Sequence, residues 1–107
     1  MVEYTDRIDT IFSALSDPIR RDIIDRTSGS TLTVNQIAIE YDISLAATSK
    51  HLKVLSDAEL IDKKKDGRFI YVTARPSGMR DAALYIKQYE RAWADTEEYD
   101  VISGISR

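Results

Sequence analysis

Apolar residues recur at helical spacing from the start of the chain: Tyr4, Ile8, Ile11, Phe12 and Leu15 share one stripe, with Asp6, Arg7, Asp9 and Ser13 outside it. This spacing predicts a helix whose apolar face needs a partner. Asp17-Pro18 is a helix start, because Asp17 can accept from free backbone N–H groups and Pro18 suits the first helical position. Ile19, Ile23 and Ile24 then face inward, leaving Arg20, Arg21 and Asp22 to solvent. After a Ser28-Gly29-Ser30 turn, Thr33-Val34-Asn35-Gln36 has capping-box spacing and opens a short helix burying Ile37, Ala38 and Tyr41. A tight turn at Asp42-Ile43 follows, and Ser44 caps a further helix in which Leu45, Thr48, Leu52 and Leu55 recur as its buried stripe. Beyond Leu60 the period changes to two, and Asp66-Gly67 between the runs 61–65 and 69–73 signals a β-hairpin. A last helix is predicted from Ser77, after Pro76, to about Tyr99. It holds Met79, Ala82, Ala83, Ile86, Tyr89 and Trp93 on one stripe and would be roughly 35 Å long. That exceeds what a domain with a radius of gyration near 13 Å covers by itself, so part of this helix is expected to meet a second subunit.

The expected architecture is therefore mainly α with a small β-hairpin, about five helices plus a two-stranded wing, in one domain over residues 1–107. Two helices across a short turn (33–56) followed by a hairpin (60–74) is the order of a winged helix-turn-helix. In that arrangement the second helix enters a major groove and the hairpin reaches the flanking backbone. Residues 1–16 and 77–100 are left for dimerisation, with Ile8, Ile11, Phe12, Met79, Ala83, Ile86, Tyr89 and Trp93 as candidate interface residues.

Three stretches carry a family resemblance: Phe12–Arg21 (FSALSDPIRR), Ser44–Leu55 (SLAATSKHLKVL), and Leu60-Ile61 with Gly67–Tyr71 (GRFIY). Together they resemble the ArsR-type transcriptional regulators over nearly the whole chain. The resemblance implies a small homodimer that represses promoters, with dimer contacts from the first and last helices. It also raises the question of metal sensing, since metal sites in that family use cysteine clusters near the recognition helix or acidic and histidine ligands on the last helix. This chain has no cysteine, its one histidine is His51 on the recognition helix, and only Asp81 stands where a last-helix ligand could. Carboxylates alone make a poor zinc site, so no metal and no cofactor is expected.

The buried stripe of the recognition helix leaves Ala46, Ala47, Ser49, Lys50 and Lys53 outward. Small residues in its first turn, Ser44 included, would let the backbone approach DNA closely. Lys50 is the first candidate for a groove contact, and Ser49 and His51 for hydrogen bonds to phosphate or base edges. A histidine packed at the junction of helix and wing is an equal alternative for His51. With no Arg, Asn or Gln on this helix, direct base readout should be modest, and shape and phosphate contacts should carry more of the specificity. The wing adds Lys63 and Lys65 on one face, Lys64 on the other, and Arg68 beside the glycine turn as the candidate for the minor groove. Lysines on an exposed hairpin also resist edge-to-edge pairing.

Charge sharpens this picture only when taken by segment. The chain carries 15 Lys and Arg against 18 Asp and Glu, net −3, which leans away from DNA. Residues 1–46 are net −4 and 76–107 net −2, whereas 47–75 are net +3, so positive charge is confined to the expected contact surface. A lone histidine without a paired nucleophile, and no phosphate-binding glycine loop, exclude an assembled catalytic site. No apolar run approaches the roughly 20 residues that span a bilayer and the acidic start is unlike a signal peptide, so a cytoplasmic protein is expected.

The functional expectation is a sequence-specific regulator, a homodimeric repressor on a palindromic operator with half-site centres roughly 34 Å apart. Its partners would be double-stranded DNA and a second copy, with no effector identified. Two alternatives remain open: a winged-helix interaction module with little specific DNA affinity, and a repressor whose aromatic stripe (Tyr85, Tyr89, Trp93) lines a site for an apolar small molecule at the dimer interface.

Overall fold

The computed structural model describes residues 2–94, with side chains from Asp6 onward. Helix α1 (Val2–Leu15) and α2 (Pro18–Gly29) are followed by the two-residue strand β1 (Leu32–Thr33). Helices α3 (Val34–Tyr41) and α4 (Leu45–Asp57), strands β2 (Ile61–Asp66) and β3 (Phe69–Ala74), and helix α5 (Pro76–Trp93) complete the order. The sheet is antiparallel with order β1-β3-β2, so the wing has three strands rather than the expected two. Leu32 pairs with Val72 and Thr33 with Tyr71, which covers the edge of β3 that a bare hairpin would expose. A two-residue strand is too short to show alternation, and Thr33 reads as a helix cap because it is one as well. Its hydroxyl accepts from the Gln36 N–H while the Gln36 amide oxygen accepts from the Thr33 N–H.

The elements start where capping chemistry dictates. The Asp17 carboxylate accepts from the N–H groups of Ile19 and Arg20, and Ser44 Oγ from the Ala47 N–H. Burial raises the Asp17 pKa, but the N–H bonds from Arg20 and Ile19, with the nearby Arg20 guanidinium, outweigh it and hold the group below the usual aspartate value. Asp42 closes α3 in the left-handed region at φ 52°, which aspartate tolerates. The hairpin loop is Gly67-Arg68, with Asp66 paired to Phe69, so Asp66 belongs to β2 and glycine fills the first loop position at φ 64°.

One core joins all the elements: Ile11 and Ala14 of α1, Ile23 and Ile24 of α2, Ile37 of α3, Leu52 and Leu55 of α4, then Ala58, Leu60, Ile61, Val72 and Ala82. Two sequence expectations fail here. Ile8 and Ile11, expected at a dimer interface, are buried in the protomer's own core, Ile11 completely; helical spacing marks an apolar face but not which neighbour covers it. Leu45, expected in the buried stripe of α4, is 55% exposed, because the first turn of α4 projects past the core that Thr48, Leu52 and Leu55 fill. Tyr41 is half-buried, its hydroxyl donating to Asp22, with the Arg26 guanidinium bonded to Asp22 at 3.0 Å and paired with Glu40 at 2.7 Å. Burial and then the Asp22 bond push the Tyr41 pKa up to about 12. The same hydroxyl, with Arg26, holds the Asp22 carboxyl below its ordinary value, and the cluster pins α3 to α2.

Helix α5 begins at Pro76, one residue before the expected Ser77. Of the expected span to Tyr99, the residues beyond Ala94 lie outside those described, as does the side chain of Tyr4. Gly78 sets where α5 docks. A Cβ there would stand 2.4 Å from the Ala58 carbonyl and 2.8 Å from that of Glu59, and the Gly78 N–H donates to the Glu59 carbonyl at 2.9 Å. This otherwise unpaired donor of the first helical turn is satisfied by the joint between α4 and β2. From there α5 packs chiefly on α1, with Phe12, Tyr85, Tyr89 and Trp93 forming a chain of ring contacts at centroid distances of 5.7, 5.4 and 6.3 Å.

Candidate nucleic-acid interface

Helix α4 is held from behind by a latch that the sequence did not suggest. Arg20 and Arg21, expected in solvent, turn back to the end of α1. Arg20 donates to the carbonyls of Ala14 (2.8 Å) and Ser13 (3.0 Å), and Arg21 to that of Leu15 (2.7 Å). These are the carbonyls a helix C-terminus leaves without internal partners, and a cation there also suits the helix dipole. Arg20 also donates to His51 Nδ1 at 3.2 Å. His51 is half-buried at this junction, and a guanidinium has no acceptor, so the contact makes Nδ1 the acceptor and Nε2 the protonated nitrogen. Arg20 thus ties α1, α2 and α4 together.

On the outward side, Ser44, Ala46, Ser49 and Lys50 are exposed and Ala47 half-buried. Lys50, Lys63, Lys64, Lys65 and Arg68 make no ion pair among the described residues. The other two cations of the basic segment are engaged: Lys53 pairs with Asp57 (3.1 Å), and Arg75 with Glu59 and Asp62 (3.5 Å each). Those pairs also neutralise three of the four acids of residues 47–75, leaving Asp66 as the one without an ion pair among the described residues. The net charge of this segment is thereby focused on α4 and the wing. In the β2–β3 register Lys63 stands opposite Val72 and Lys65 opposite Ile70, while Lys64 stands opposite Tyr71 on the other face. Such unpaired, solvated cations exchange counter-ions readily for phosphates.

Between the start of α4 and the wing lies a cleft of about 220 Å³ lined by Asn35, Leu45, Ser49, Arg68, Phe69 and Ile70, with Thr33 and Val34. The structure therefore brings Arg68 together with Ser49. It also adds Asn35, which sequence reasoning passed over. Asn35 sits exposed in the first turn of α3 and supplies beside α4 the amide that α4 itself lacks; its position next to a capping box was the signal available. Leu45, Phe69 and Ile70 were likewise not expected at this surface.

A helix-turn-helix domain family matches residues 15–64. The chain is 36% identical over 82 residues to the transcriptional repressor SdpR of Bacillus subtilis, covering 77% of this chain and 91% of SdpR. Its fold matches the crystal structure of an ArsR family transcriptional regulator with a TM-score of 0.80 at 26% identity, over 86% of this chain and 95% of that one. The chain belongs to the ArsR-type winged helix-turn-helix regulators. A homodimeric winged helix-turn-helix DNA-binding domain from Mycobacterium bovis has the same fold (TM-score 0.67, 18% identity, 90% of this chain and 91% of that one).

As an ArsR-type protein it is a DNA-binding transcriptional regulator. Among the described residues no three His, Asp or Glu side chains gather as a metal-holding group, and no helix is long and apolar enough to cross a membrane. Asp81, the last-helix carboxylate raised as a ligand position, instead accepts from Arg7, which also pairs with Glu59 at 2.9 Å. Arg7 thereby joins α1, α5 and the joint after α4. The remaining expected interface residues of α5 stay uncovered in the protomer: Met79 is 40% exposed, Ile86 54%, Tyr89 47% and Trp93 50%. Ala83 is exposed as well and Phe12 half-buried. Leu84, absent from the expected set, is 61% exposed.

Proposed function

We propose that the protein is a repressor acting as a homodimer joined along α1 and α5, in the cytoplasm where the chromosome is. Its two α4 helices enter successive major grooves of a palindromic operator, and its two wings straddle the flanking backbone. The observation that carries this reading is that five cations on α4 and the wing of an otherwise acidic chain have no ion pair among the described residues. A module that bound only protein would have no use for that arrangement. Lys50 and Ser49 contact the groove, His51 donates from Nε2, and Ser44, Ala46 and Ala47 form the close-approach turn. Lys63, Lys65 and Arg68 hold phosphates, while Lys53, already engaged by Asp57, contributes less. The repressor name of SdpR and the homodimeric state of the mycobacterial domain support the same arrangement.

Selection of bound sequences from random double-stranded DNA tests it. The expected result is enrichment of an inverted repeat with half-site centres about 34 Å, or roughly ten base pairs, apart. Recovery of no preferred sequence, or of single half-sites bound by one protomer, overturns the proposal.

A further inference from the structure

Leu45 occupies the first position of the recognition helix, where a base-reading side chain would be expected to be polar, yet it is an aliphatic side chain left 55% exposed. It is not an isolated exposed leucine. Leu45 and Asn35 line both the cleft toward Phe69 and Ile70 and an adjoining hollow with Ile39 and Ile43. Ile39 is 80% exposed, Phe69 46% and Ile70 41%, so the surface beside the basic face is apolar at its centre. A contiguous patch of this kind marks a contact site. Its neighbours indicate the kind of contact: Arg68 and Ser49 stand in the cleft with Leu45, Lys65 stands opposite Ile70 in the wing, and Asp42 lines the adjoining hollow. On the side of the cleft the ligand is therefore anionic where it meets Arg68 and apolar where it meets Leu45. In a B-form major groove the C5-methyl of thymine is the apolar feature that a base pair presents, and it lies among hydrogen-bonding groups that an aliphatic side chain cannot use.

We propose that Leu45, with the Ala46 methyl beside it, is a specificity-determining residue that reads thymine through its C5-methyl group. This deepens the function proposed above and rests on it. It also removes a difficulty in that reading, since α4 lacks the Arg, Asn and Gln that make bidentate base contacts. Leu45 selects by apolar contact while Lys63, Lys65 and Arg68 hold the backbone.

The test uses the full chain and the operator recovered by random selection. Each thymine is replaced in turn by deoxyuridine, which pairs identically but lacks the methyl, and affinities are measured for wild type and Leu45→Ala. For wild type, one thymine per half-site should show a loss of about fourfold, the equivalent of one buried methyl group. Leu45→Ala should lose that sensitivity while keeping wild-type salt dependence and helical content, since the exposed side chain is neither core nor phosphate contact. An operator bound equally well with or without methyls overturns the Leu45 assignment and leaves the repressor reading standing. So does a methyl effect of the same size in Leu45→Ala, or a uniform loss in Leu45→Ala across all sequences. Failure to bind any preferred sequence removes both.

Discussion

Two surfaces of the protomer leave large apolar side chains uncovered, and they differ in what surrounds them. Along α5, Met79, Leu84, Ile86, Tyr89 and Trp93 are exposed on a helix whose ring contacts run back to Phe12, with Asp81 engaged by Arg7 on the α1 side and Lys87 and Arg91 beside Leu84. Around the start of α4, Ile39, Leu45, Phe69 and Ile70 are exposed to a similar degree, but in two adjoining hollows that also hold polar groups: Ser49, Asn35 and the cation Arg68 toward the wing, and Asp42 on the side of Ile39. Equal exposure therefore does not mean equal purpose. A long apolar and aromatic stripe on one helix, continuous with Phe12 of α1, suits a second copy of itself. A smaller apolar patch that shares its cleft with Arg68, Ser49 and Asn35 suits a polyanion with apolar features of its own. Gly78 and Glu59 lie between the two, at the joint where α5, α4 and β2 meet.

The largest disturbance should come from a charge placed in the middle of the α5 stripe. Ile86→Glu should weaken self-association by at least about a hundredfold, since an uncompensated buried charge costs roughly 3 kcal/mol or more. Light scattering at micromolar concentration should then report a monomer that has lost operator affinity but kept its circular dichroism spectrum. A dimeric Ile86→Glu would mean that the α5 stripe is not the join. Next comes the joint itself. Gly78→Ala should lower the stability to urea by about 1–3 kcal/mol, because the added methyl meets backbone carbonyls that cannot move aside. Both surfaces should be affected in one transition, and loss of the α5 face alone would show them to be independent.

Changes on the basic face should do the opposite of Ile86→Glu. Lys50→Ala and Arg68→Glu should each weaken operator binding about tenfold at physiological salt, and Arg68→Glu should reduce the slope of affinity against salt by at least about one. Mass in solution should stay that of the wild type. The smallest effect is expected at the Asp17 cap, which starts α2. Asp17→Ala should cost about 1 kcal/mol near pH 7. Because the folded-state pKa of Asp17 lies below the ordinary value, its contribution is complete above the unfolded pKa of about 3.9 and is lost as pH falls through the folded value. Urea titrations of wild type and variant should accordingly converge below about pH 4, and a gap that persists there would show that the carboxylate is not what caps α2.

The elements that proved legible in the sequence are those whose signals are local. Asp17-Pro18, the Thr33–Gln36 capping box and Ser44 each start a helix with side chains that reach no more than three residues along the chain. The hairpin was visible from its change of period and its glycine, and the basic wing from its lysines. What stayed hidden depends on residues brought together across long sequence separations. Strand β1 exists because β3 has a free edge to offer Leu32 and Thr33. Arg20 looked like a solvent residue until the end of α1 came within its reach.

By itself, then, the sequence determined the order of the helices and the wing hairpin and the segment that carries positive charge. These follow from capping, periodicity and residue type, which act over a single turn of helix or hairpin. Only the tertiary structure decided which apolar residues are core and which are surface. It buried Ile8 and Ile11, left Leu45 exposed, withdrew Lys53 and Arg75 from the basic face, and fixed α5 against the backbone at Gly78. The physical reason is that periodicity defines a face on one element, whereas burial and charge pairing depend on what other elements bring against it.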